Sequence, residues 1–135
     1  KYIVFDFNSK IMNIIQKRIF REMIIKELVK NGRQTVSIME MYIALQKNKK
    51  NYFSLKSMKS LALQMKATHM VYGTIKCSSL SKLFNLSPKD TVIIILKLYD
   101  LQGQDVRTQK ILFSGYSSLL DFFRISALKI SNKIK

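Results

Sequence analysis

Three features of these 135 residues predict an α/β (α+β) fold, a single mixed β-sheet of about four to five strands packed by three to four helices. Short runs of β-branched and aromatic residues alternate with longer segments of helical period. Two such runs, Thr91 to Tyr99 and Val106 to Gly115, flank a turn short enough to make them a hairpin. With 47% hydrophobic residues the chain can build one core and is too short for two, so residues 1–135 form a single domain.

Tyr2 to Phe7 (YIVFDF) reads as a strand closed by the turn-prone Asn8-Ser9. From Lys10 to Asn31 the period becomes helical. Ile11, Ile15, Ile19 and Met23, with the offset set Phe20, Ile24 and Leu28, make the apolar face; Lys10, Lys17, Arg21 and Lys26 make the other. Asn31-Gly32 supplies the left-handed residue that ends it. Gln34 to Met39 is a candidate second strand, and Glu40 to Gln46 a short helical piece before the polar run Lys47 to Asn51. Ser54 or Ser57 caps a helix reaching Lys66, with Leu55, Met58, Leu61, Ala62 and Met65 inward. Thr68 to Ile75 is strand-like again. Lys76 to Asp90, rich in Ser and holding the only Pro, is long for a connection in a small domain; Leu80, Leu83, Phe84 and Leu86 predict a short amphipathic turn there. Thr91 to Tyr99 is apolar on both faces for five residues, as a central strand is. Asp100 and Gly103 suit the first and fourth positions of a β-turn, and Val106 to Gly115 returns as the partner strand. Ser118 with Asp121 opens a last helix whose inward stripe is Leu120, Phe123, Ala127, Ile130 and Ile134.

The formal charge is +16, from 24 Lys and Arg against 8 Asp and Glu. Nucleic acid, an anionic membrane surface or an acidic protein could each answer it. The most lopsided stretch, Met41 to Lys89, holds nine Lys and no acid. Lys outnumbers Arg nineteen to five, whereas readers of bases and phosphates favour the bidentate guanidinium. The longest apolar run, Val92 to Leu96, falls far short of the ~20 residues of a spanning helix.

Catalytic chemistry finds little purchase. His69 is the only imidazole and Cys77 the only thiol, at opposite ends of one extended run. The reading is therefore of a strand-entry histidine and a small, partly buried filler. The carboxylates give no close pair; Asp6 is the one best placed for a role, with capping of the next helix or turn as its plainer use. Four isolated Gly exclude a phosphate-cradling loop, and a lone Cys with a lone His excludes a zinc cluster. No cofactor, metal or small-molecule substrate is expected, and no enzymatic activity.

Three segments in order carry a family resemblance. Leu61 to Ile75 (LALQMKATHMVYGTI) resembles the "helix, small residue, strand ending in hydrophobic-Gly-Thr/Ser-Ile" segment of CsgG-type curli-transport proteins, shared with the TolB amino-terminal domain and the lipoprotein activators of penicillin-binding proteins. Ile3-Val4-Phe5-Asp6-Phe7, then a helix ending Glu27-Leu28-Val29-Lys30-Asn31-Gly32, is similar to their opening strand and helix. Leu98 to Val106 resembles their hairpin, in which Asp100 and Gly103 frame the turn. Lys66 stands where these families usually place Gly, and Ile38-Met39-Glu40 where they usually carry an Asp-Arg pair. A curli-type pore is not expected, because Lys76–Asp90 cannot supply two membrane strands of ~9–11 residues.

The resemblance implies a non-enzymatic protein-interaction domain of the bacterial cell envelope, periplasmic or outer-membrane-associated. Its partner would be another envelope protein, with an anionic membrane surface or nucleic acid as the other partners a Lys-rich surface could serve. The expected contact residues are Lys47, Lys49, Lys50, Lys56 and Lys59, or Leu83 and Phe84 in the Ser-rich stretch. The chain opens at Lys1, without an initiator Met and directly in an apolar segment, which predicts a processed chain or fragment; a signal peptide or lipid anchor would lie upstream.

Overall fold

A computed structural model of the chain describes residues 1–48, 54–77, 92–113 and 118–134. Its elements run β1 (Tyr2–Val4), α1 (Ile14–Lys30), α2 (Ile38–Asn48), α3 (Leu55–Gln64), β2 (His69–Lys76), β3 (Val92–Asp100), β4 (Asp105–Phe113) and α4 (Leu119–Lys133). Among the described residues this makes four helices and an open, mixed four-stranded sheet in the order β1-β2-β3-β4. β1 pairs parallel with β2; the other two pairs are antiparallel. The α+β expectation holds.

Local chemistry sets the boundaries. Asn13 and Gln16 form a reciprocal capping box that starts α1. Gly32 ends it at φ 80, with Gly32 N–H donating to Val29 O (3.0 Å) and Arg33 N–H to Leu28 O (2.9 Å). α3 ends in the same motif without glycine. Lys66 takes the left-handed conformation itself at φ 58, while Lys66 N–H reaches Leu63 O and Ala67 N–H reaches Ala62 O. Lys66 thus holds a left-handed conformation that Gly adopts without strain. In the β3–β4 turn, Asp100 Oδ1 accepts from Gln102 N–H (3.0 Å) and Gly103 N–H (3.2 Å).

The sheet buries apolar residues on both faces. On one, Val4, Val71, Ile75, Ile94, Leu96 and Ile111 meet Phe20, Ile24 and Leu28 of α1 and Phe122, Phe123, Ala127 and Ile130 of α4. Three phenylalanines tie the helices together: Phe20 lies 5.3 Å from Phe123 and 6.5 Å from Phe122 between ring centroids. On the other face Ile3, Phe5, Met70 and Tyr99 pack against Met41 and Ala44 of α2 and Met58, Leu61 and Ala62 of α3.

Several sequence expectations change. Gln34 to Met39 is not a strand: Thr35 makes one parallel bridge to Tyr2, and α2 begins at Ile38 because Ser37 and Glu40 cap it reciprocally. β1 stops at Val4, although Asn8 bridges to Thr74 further along β2. In α1 the buried face is Phe20, Arg21, Ile24, Ile25 and Leu28, so Ile15 and Ile19 turn outward and Arg21 inward. Leu55 and Leu120, expected inside, are exposed, whereas Phe122, on the opposite side of its helix from Leu120, is fully buried. The Ser-rich stretch with Leu83 and Phe84 lies outside the described residues, as do Lys49 and Lys50.

Candidate interaction surface

Where β1 ends and α1 and α3 begin, a groove of about 610 Å³ opens beside the sheet. Ile14 and Lys17 of α1 form one wall and Leu55 and Met58 of α3 the other; Tyr72, Gly73, Thr74 and Lys97 of the sheet form the floor. The chain after β1 closes the groove with Asp6, Phe7 and Asn8.

Gly73 makes this floor possible. A methyl group on its Cα would collide with the Ile95 carbonyl oxygen and the Phe7 ring. Tyr72 stands beside it with its hydroxyl pushed above the ordinary phenol range by burial, and secondarily by Tyr99, so it stays protonated as a hydrogen-bonding group.

The acid in the groove is already matched. Arg21 Nη1 donates to Asp6 Oδ1 at 2.9 Å, and Arg21 is only 4% exposed, its Nε buried without a hydrogen-bond partner. Burial holds the Asp6 carboxyl above its usual range, while Arg21, Lys17 and Arg18 pull in the opposite direction. Asp6 is therefore a counter-ion for a buried guanidinium and not the helix or turn cap its position suggests; Asn13 caps α1.

A second, shallower depression of about 500 Å³ continues along α3, lined by Leu55, Lys56, Lys59, Ser60 and Leu63. Leu55 belongs to both, so the two form one surface. Leu55, Lys59 and Leu63 recur every fourth residue and so share one helix face; Leu63 is 66% exposed. Lys59 Nζ sits 4.5 Å above the Tyr99 ring centroid, which orients its stem.

Of the expected contact residues, Lys56 and Lys59 meet on this surface, whereas Lys47 lies exposed at the end of α2. Sequence reasoning missed Ile14, Lys17, Tyr72 and Lys97, which converge only through the β1–β2 and β2–β3 pairings. One available signal was Ile14 directly after the Asn13 cap, a first-turn position that side chains of the core rarely occupy. His69 stacks on Tyr2 at the start of β2 and Cys77 follows its end, some eight residues and about 26 Å of strand away. Among the described residues no three His, Cys, Asp or Glu side chains gather where they could hold a metal ion, and no helix is long and apolar enough to cross a membrane.

No protein-family model and no curated protein matches the sequence. Solved structures do match the fold. A PelC dodecamer from Paraburkholderia phytofirmans aligns with a TM-score of 0.63 at 11% identity, over 96% of this chain and 84% of that one. The LpoB C-terminal domain from Salmonella enterica gives 0.58 at 14%, over 84% and 82%. Lipoprotein GNA1162 from Neisseria meningitidis gives 0.61 at 12%, over 99% and 98%. At these identities the likeness is one of fold.

Proposed function

We propose that the chain is a protein-interaction domain of the bacterial cell envelope, periplasmic or lipoprotein-tethered and related to the CsgG-type and TolB amino-terminal families, and that it docks an acidic partner protein on the surface shared by α1 and α3. The observation that carries this is the union of exposed aliphatic side chains with cations that form no salt bridge among the described residues: Ile14, Leu55 and Leu63 lie among Lys17, Lys56, Lys59 and Lys97, and the one carboxylate lining the groove, Asp6, pairs with Arg21. An apolar centre with a polar, single-sign rim is the arrangement of a protein-docking patch. The match in fold to one structure named a lipoprotein and to the LpoB domain supports the compartment.

Two measurements test the reading. Fractionation of cells expressing the full-length gene should place the protein with the periplasm or outer membrane; a cytoplasmic protein would contradict it. Titration with duplex and single-stranded DNA should show no retention at about 150 mM salt, where surface charges are screened beyond ~8 Å. Micromolar binding there with a steep salt slope would assign the Lys surface to nucleic acid instead.

A further inference from the structure

The two edges of the sheet are treated differently. β1 is three residues long, and its outer side is occupied: Tyr2 N–H donates to Gln34 O (2.8 Å) and Val36 N–H to Tyr2 O (2.7 Å). β4, at the other edge, is nine residues long and pairs with β3 residue for residue from Val92↔Phe113 to Asp100↔Asp105, without a bulge. It contains no Pro, and among the described residues no backbone hydrogen bond reaches its outer side. The free N–H and C=O groups of a long, regular edge template another strand.

From this contrast we propose that β4 is a docking edge for an extended acidic segment of another protein, added to the sheet as a fifth strand. Side chains and backbone agree on the occupant. Val106, Thr108, Lys110 and Leu112 alternate along the sheet face that carries Tyr99, α2 and α3, with Val106 and Leu112 about half exposed. An incoming strand would meet Val106, Thr108, Lys110 and Leu112 directly, an aliphatic residue at each end and the Lys110 cation between them, with Ile93 and Ile95 of β3 one strand further in. Lys110 and Lys133 flank the edge with Arg107, against Asp105 alone at the hairpin end. A second copy of the chain would bring a second set of the same cations to this edge, and paired about Lys110 or Arg107 it would set that cation against its own copy, which destabilises pairing. An acidic strand gains on the same positions, in the mode where backbone bonds give affinity and alternate side chains give selectivity. The proposal stands apart from the α3 surface and does not depend on the compartment.

The probe is a synthetic peptide of alternating Glu and Val, compared with its Lys-Val counterpart on the 135-residue chain, with amide hydrogen exchange read by NMR. The Glu-Val peptide should slow exchange at alternate amides of 105–113 and leave α3 unchanged, binding about tenfold more tightly than the Lys-Val peptide, as two or three favourable cross-strand pairs allow. Lys110→Glu should reverse that preference, Lys110→Gln should level it, and Lys56→Glu should leave it intact. No protection on β4, protection located elsewhere, or a concentration-dependent dimer that protects β4 without peptide would each overturn the proposal.

Discussion

Arg21 is the side chain whose placement most changes the reading of α1. Its position four before Ile25 and seven before Leu28 puts it on the buried stripe, a periodicity visible in the sequence but outvoted by the habit of assigning every cation to solvent. Among the described residues its salt-bridge partner is Asp6 alone, so Asp6→Ala should destabilise the fold by about 3 kcal/mol in urea unfolding, because it orphans a buried guanidinium. Arg21→Met should cost less, since Asp6 is partly exposed and water can replace the guanidinium; equal losses for the two would contradict this asymmetry. Lys66 offers the opposite sign. Lys66→Gly should stabilise by about 1 kcal/mol, removing a left-handed side-chain conformation while keeping the helix-ending bonds. Glu40 carries the pH dependence: the Ser37 backbone N–H and hydroxyl hold its carboxyl below the ordinary value. Its contribution is present above the unfolded value and is lost as pH falls through the folded one, so Glu40→Gln should flatten part of the acid limb of thermal stability, below the ordinary carboxylate value. Asp6 works in the other sense, since a raised carboxyl favours the fold only at the acid end.

Elements whose signals are local agree with their sequence. The α1 stop at Gly32, the Ser54 and Ser118 caps and the Asp100–Gly103 turn all follow from short-range hydrogen-bond chemistry within a few residues. Gln34 to Met39 fails for a physical reason. Its middle does lie against β1, but the Ser37–Glu40 capping box recruits the last residues into a helix, leaving one bridge where a strand was expected. Leu55 and Leu120 fail differently: each sits exposed in the first turn of its helix, while the buried residues of that helix begin at Met58 and Phe122. β2 depends on Gly73 for close approach to β3 and to Phe7. Gly73→Ala should therefore cost about 2–3 kcal/mol, the scale of forced overpacking, and should open the groove floor. A change within about 0.5 kcal/mol, measured by denaturant midpoint at constant slope, would show that the strand yields without loss.

Across the molecule, composition limited the possibilities without choosing among them. The +16 charge has no single tail or block to explain it, and only the fold shows which lysines share a surface. Lys17, Lys56 and Lys97 come from three separate elements, and their convergence depends on strand pairings that no local pattern encodes. The order of strands and helices was readable because hydrophobic period reports each element; the site was not, because it lies between elements. Reversing charge at Lys17 and Lys56 together should abolish partner binding at a smaller cost in stability than Asp6→Ala, since Lys56 is exposed and Lys17, half-buried, only adds to the field that Arg21 sets at Asp6. Site-specific photo-crosslinking in intact cells isolates that effect. A photoreactive residue at Lys56 should trap one acidic envelope protein, the adduct should vanish in the Lys17→Glu background, and the same residue at Leu128, exposed on α4, should trap none. Equal adducts from positions 56 and 128, or an adduct at 56 that survives Lys17→Glu, would contradict a docking surface shared by α1 and α3.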